Sequence, residues 1–216
     1  MTATPRVVVI DSGVDARHPA LRGHTVLAGP AFHTGADADN DDSGRDELGH
    51  GTAVAATLVR FLGERPVEIT SLRVFGREPV CDFASVLRAL EHAVTLRPNV
   101  VNLSLGTTSL RFRGALQDLA RTAKAAGTRV VAPASYGGLP CDPGTLAEVE
   151  AVVGDPNVLP MLPELRPHGG RLVWFASPLP PPDADGVRRL RARGDSLAVA
   201  AVSGALLRSA GIHGAA

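Results

Sequence analysis

The chain has 216 residues, 44% of them hydrophobic and 20% charged, with 22 acidic side chains balancing 22 basic ones. That length suits one domain, residues 1–216, with a substantial core, and the composition excludes both a disordered chain and the basic footprint of a nucleic-acid binder. No apolar run approaches the length of a membrane span, and the only cysteines, Cys81 and Cys141, read as free thiols rather than a disulfide framework.

Met1–Arg6 runs directly into an apolar strand with no long apolar region and no cleavage site. This predicts no signal peptide, no propeptide ahead of Asp11, and a cytoplasmic location. Val7-Val8-Val9-Ile10 is a continuous β-branched run, the pattern of a strand buried on both faces of a parallel sheet. Asp11 then falls at the strand's carboxyl end, where open α/β sheets gather ligands and catalytic groups. It equally suits an aspartate that opens a loop. Residues 28–47 are polar and acidic, with Asp37, Asp39, Asp41, Asp42, Asp46 and Glu47 interrupted by Gly and Ser. They read as a solvated surface loop whose spacing matches no calcium loop, so no metal is predicted.

Leu48-Gly49-His50-Gly51-Thr52 precedes Ala53–Val59, small and apolar residues at helical spacing. His50 therefore starts a buried helix, and its flanking glycines let other groups approach. Arg111–Gly127 reads as a helix with Leu116, Leu119, Ala120 and Ala123 on its apolar face, followed by the strand Arg129–Ala132. Within the irregular stretch Leu159–Pro182, Leu172–Ala176 is a final strand, and Pro178-Leu179-Pro180-Pro181-Pro182 is a rigid loop or a polyproline ligand. Arg188, Arg189, Arg191 and Arg193 make a solvated face or steer acidic substrate residues.

Gly194-Asp195-Ser196-Leu197-Ala198 opens a last apolar helix through Leu207, with Gly211 as its stop. A serine behind a glycine in the first turn of such a helix presents its hydroxyl with its own N–H aimed at the group it attacks. Asp195 or Ser196 reads equally as the N-cap of that helix.

Asp11-Ser12-Gly13-Val14, His50-Gly51-Thr52 and Gly194-Asp195-Ser196-Leu197-Ala198 resemble, in order, the three catalytic signatures of subtilisin-like serine proteases. The resemblance implies an α/β, three-layer fold with a mostly parallel central sheet and helices on both faces. It also implies a strand over Val67–Phe75, a helix over Phe83–Arg97, a short helix or turn from Gly144 and a strand over Val149–Gly154. Val100–Leu103 is similar to the strand whose Ser104-Leu105-Gly106 edge pairs with the substrate backbone. The implied triad is Asp11, His50 and Ser196, with peptide or protein substrates, no cofactor, no nucleic acid and no membrane.

Four positions depart from the family pattern: Tyr136, Asp195, Leu197 in place of methionine and Ala200 in place of proline. Tyr136 stands where the family places an oxyanion-donating asparagine, with Ser135 one place earlier, and Gly137-Gly138 suggests a backbone whose amides face a ligand. Asp195 replaces the threonine beside the nucleophile, and a carboxylate there opposes a developing oxyanion unless it turns away. The resulting expectation is a cytoplasmic endopeptidase of narrow range, such as a peptide-maturation enzyme. The alternatives are a catalytically impaired fold that binds a peptide or partner protein, and a variant that passes its acyl group to another nucleophile.

Overall fold

The β-branched run near the start of the chain lies at the heart of the sheet. β1 (Arg6–Asp11) is buried from Val7 onward and pairs in parallel with β3 (Glu68–Arg73) on one side and β4 (Val100–Leu103) on the other. The computed structural model that shows this describes residues 3–33, 45–182 and 192–210. The acidic positions Asp37, Asp39, Asp41 and Asp42, the basic positions Arg188, Arg189 and Arg191, and Gly211 lie outside the described residues.

The other strands of the main sheet are β2 (Thr25–Ala31), β5 (Arg129–Pro133), β8 (Glu150–Gly154), β9 (Glu164–His168) and β10 (Arg171–Ala176). They form one eight-stranded sheet in the order β2-β3-β1-β4-β5-β8-β10-β9, parallel throughout except for β9. A separate hairpin joins β6 (Ser135–Tyr136) to β7 (Leu139–Pro140).

Period-two alternation sends the two faces of β1 into different layers. Val7 and Val9 pack with residues of α1 (His50–Leu62) and α4 (Asp195–Ala210), among them Leu58 and Val202. Val8 and Ile10 pack with α2 (Phe83–Thr95) and α3 (Arg113–Ala125), through Val86, Leu90 and Leu116. Each such side chain stabilises the fold by about 1.5–3 kcal/mol on burial. The three-layer α/β architecture expected from the sequence is therefore present.

In the layer beneath the site, α1 and α4 touch backbone to backbone. A Cβ on Gly204 would overlap the Leu58 carbonyl of α1, so only glycine permits this spacing. α2 is held at its start by Asp82, whose carboxylate accepts from the Ala84 N–H at 3.0 Å.

Two strands of the main sheet were not read from the sequence. Residues 28–31, taken as the start of a loop, complete β2, an edge strand that tolerates Pro30 and an irregular register between Ala28 and Ala31. β9 lies inside the stretch read as irregular. It is an exposed edge strand interrupted by Pro167, so it carries no apolar alternation to announce it. In the proline-rich loop, Pro180 and Pro181 are buried, and the Pro182 carbonyl accepts from the Arg60 side chain at 2.7 Å. Packing claims the surface that a polyproline ligand would have to offer. Among the described residues no helix is long and apolar enough to cross a membrane.

Candidate active site

Asp11 ends β1 and is 1% exposed, and the first turn of α1 is laid directly against it. Gly51 makes this approach feasible, because a Cβ there would overlap the Gly13 carbonyl. Asp11 Oδ1 accepts from His50 Nδ1–H at 2.7 Å and from the Ser12 N–H at 2.8 Å. The hydrogen bond to Asp11 is the largest influence on His50 and holds its pKa above the usual histidine value. Burial opposes this rise, while the charges of Asp11 and Asp46 add to it.

Asp46, read from the sequence only as part of an acidic run, organises the start of α1. Its Oδ1 accepts from Ser12 Oγ and from the Gly49 N–H, both at 2.8 Å, and its Oδ2 accepts from the Thr52 N–H at 2.8 Å and Thr52 Oγ1 at 2.6 Å. Ser12 Oγ in turn accepts from the Gly51 N–H at 2.9 Å. Donors at the helix entry are thus paired by side chains, with a negative charge at the positive end of the helix dipole. His50 is clamped between these contacts. The available sequence signal was a carboxylate just ahead of the apolar helical run, a capping pattern hidden by its acidic neighbours.

Ser196 sits inside the first turn of α4 and does not cap it. The helix closes on Gly194, whose carbonyl accepts from the Leu197 N–H at 3.0 Å, and first-turn amides such as that of Ser196 have no partner within a helix. Ser196 Oγ donates to the Ser104 carbonyl at 3.5 Å, a long contact that is easily exchanged. Asp195, the neighbour whose charge was a concern, takes a hydrogen bond from the Gly154 backbone at the end of β8, and its Oδ1 fills the space a Cβ on Gly154 would need. Burial raises its pKa, and the Gly154 bond partly opposes that rise.

His50, Ser196, the Ser104-Leu105-Gly106 edge and Tyr136 all line one cleft of about 710 Å³. Leu48, Phe75, Val80, Phe83 and Leu105 make its walls largely apolar, and among the described residues none of its lining is Asp, Glu, Lys or Arg. Tyr136 stands on the rim, 70% exposed. Ser135 does not line the cleft. It pairs with Pro140 in the β6–β7 hairpin. Gly137 and Gly138 adopt φ of 58° and 81°, as the two-residue turn of that hairpin requires. Their left-handed geometry serves the turn, and neither glycine is among the residues that line the cleft.

The wall beyond Gly106 is braced from behind. Thr107 and Asp142 exchange backbone hydrogen bonds at 2.8 Å each, and the buried Asp142 carboxylate accepts from Arg113 of α3 at 2.7 and 3.0 Å. Both cysteines are free, and burial pushes each thiol up to about 11.

A family description, that of the subtilase family, matches residues 3–138. A thermostable alkaline protease of Halalkalibacterium halodurans is 33% identical over 111 residues, which is 48% of this chain and 28% of that protein. The chain spans less than half the length of the curated relatives it matches. Among solved structures, a cold-adapted subtilisin-like serine proteinase superposes with a TM-score of 0.69 at 22% identity, covering 92% of this chain and 72% of that one. The nisin leader peptidase of Lactococcus lactis superposes with a TM-score of 0.70 at 19% identity, covering 99% and 80% respectively.

Proposed function

Because this chain belongs to the subtilase family, we propose that it is a serine endopeptidase acting through Asp11, His50 and Ser196. The observation that carries the reading is the 2.7 Å bond from His50 Nδ1 to the buried Asp11, in the cleft that Ser196 also lines. Asp11 holds the imidazole tautomer and balances its charge while His50 takes the Ser196 proton. The hydroxyl attacks the peptide carbonyl, the amine leaves with the proton from His50, and water releases the acyl group. The Ser196 N–H supplies an oxyanion donor, and Ser104-Leu105-Gly106 receives an extended peptide as an added strand.

The described lining of the cleft, largely apolar and without Asp, Glu, Lys or Arg, supports peptides with apolar side chains around the scissile bond. A narrow, peptide-maturation role is supported by the likeness to a structure described as a nisin leader peptidase. Free thiols favour the reducing cytoplasm as its compartment. Tyr136 in place of an amide donor supports a second reading, an impaired member that binds a peptide or partner protein or passes its acyl group to an amine.

Labelling with a fluorophosphonate, followed by mass spectrometry, separates these. An adduct on Ser196 that disappears in His50→Ala supports the triad, and hydrolysis is then told from transfer by the products of a peptide assay. An absence of adduct, under conditions that label an ordinary serine protease, leaves the binding protein as the reading.

A further inference from the structure

Asn102 and Ser203 are both 0% exposed, yet both are polar and neither belongs to the triad. Asn102 lies in β4, on the face that looks toward α4, since it pairs in register with Val9, a member of the α1–α4 layer. Ser203 Oγ donates to Asn102 Oδ1 at 2.9 Å, and Asn102 Nδ2 donates to Ser104 Oγ at 3.0 Å.

The spacing of these residues ties them to the nucleophile. Ser196 and Ser203 are seven residues apart on α4, two helical turns, so they share one stripe about 10 Å long. Asn102 and Ser104 are two residues apart, at and just beyond the end of β4, and their hydrogen-bonded side chains lie on one face. One stripe lies against the other with a hydrogen bond at each end: Ser203 to Asn102 in the core, and Ser196 to the Ser104 carbonyl at the cleft. The amide of Asn102 links the two ends through Ser104. Opposite this contact, Gly204 rests on the Leu58 carbonyl and leaves α4 no room to roll away.

We infer that Asn102 and Ser203 are positioning residues for the nucleophile: the pair fixes Ser104, and with it the Ser196 hydroxyl, relative to His50. Packing alone is served as well by a hydrocarbon pair of similar volume. The polar pair supplies a directional contact that hydrocarbon does not, and it sets the register of α4 against β4. This inference rests on the proposed role of Ser196.

The test compares Ser203→Ala, Ser203→Thr and the double variant Asn102→Leu/Ser203→Ala in the full chain. The fluorophosphonate labelling rate of Ser196 and the melting temperature are read side by side. In Ser203→Ala the labelling rate is expected to fall about tenfold, with peptide turnover losing kcat while KM stays within about twofold. Ser203→Thr keeps the hydroxyl and is expected to restore the rate. The double variant removes both polar partners together, so its melting temperature is expected to recover while its labelling stays slow. Labelling that recovers along with the melting temperature overturns the inference, as does Ser203→Ala labelling at the parent rate. A parent protein that does not label at all overturns the proposed role of Ser196 first, and this inference with it.

Discussion

Asp11 Oδ1 lies 2.7 Å from His50 Nδ1, and that hydrogen bond is the main reason His50 titrates above the usual histidine value. A base must be neutral to accept a proton, so the acid limb of kcat/KM is expected above about pH 6.5. Asp11→Asn is expected to move that limb downward and to cut kcat by about 10,000-fold, the scale set by a mis-held tautomer. The stability effect has the opposite pH sense. A raised histidine pKa contributes stability that is fully present below its unfolded value and fades as pH rises through the folded value. Thermal melts of Asp11→Asn are therefore expected to fall further below the parent at pH 5.5 than at pH 8.5. Equal differences at the two values refute the coupling.

Asp46 takes four hydrogen bonds at the entry to α1. Asp46→Ala strands their donors and is expected to cost about 1–3 kcal/mol in chemical denaturation. Its charge also contributes to the raised pKa of His50, so the acid limb is expected to shift down even in Asp46→Asn, which keeps an acceptor. An unmoved pH profile in Asp46→Asn restricts Asp46 to capping.

Tyr136 is 70% exposed and lines the cleft, and a phenol ring carries its hydroxyl farther from the backbone than an asparagine carries its amide. Tyr136→Phe is expected to change kcat by less than about threefold, against the 100- to 1000-fold loss that follows removal of a seated oxyanion donor. A loss in the larger range identifies the phenol as that donor.

Asp195 turns its carboxylate to the Gly154 backbone, where burial raises its pKa. Asp195→Asn keeps an oxygen for the Gly154 N–H and removes the charge beside Ser196. Labelling is expected to rise a few-fold at pH 8, corresponding to about 1 kcal/mol of relieved repulsion. The difference is expected to narrow as pH falls and the native carboxyl is protonated. A slower variant at pH 8 shows that the carboxylate assists the nucleophile.

Gly204 meets the Leu58 carbonyl, and backbone cannot move aside as a side-chain tip can. Gly204→Ala gains helix propensity of about 1 kcal/mol, and overpacking opposes it by about 1–3 kcal/mol. A net fall in melting temperature is expected, with slower labelling because a displaced α4 carries Ser196 with it. An unchanged melt shows that the two helices part without cost.

The features legible in the sequence were those written in local pattern. Val7–Ile10 announced the central strand because burial on both faces demands an unbroken apolar run, and Ala53–Val59 announced a buried helix by its periodicity. Ser196 was legible as a serine behind a glycine at the start of an apolar helix, although the same pattern also describes a cap. β9 stayed hidden because an exposed edge strand has no reason to alternate. The hairpin turn at Gly137-Gly138 was not legible, because a glycine pair suits a tight turn as well as a loop that faces a ligand.

By itself the sequence determined the order of Asp11, His50 and Ser196, since order is a property of the chain, and the resemblance carried by their flanking motifs implied the fold class. Only the tertiary structure decided which way Asp195 faces, what Asp46 holds, and that Asn102 meets Ser203. Ser12 and Asp46 are 34 residues apart and Asn102 and Ser203 are 101 apart. Pairings at such distances depend on how helices seat on the sheet. That seating is set by close backbone contacts at Gly51 and Gly204, which leave no trace in local periodicity.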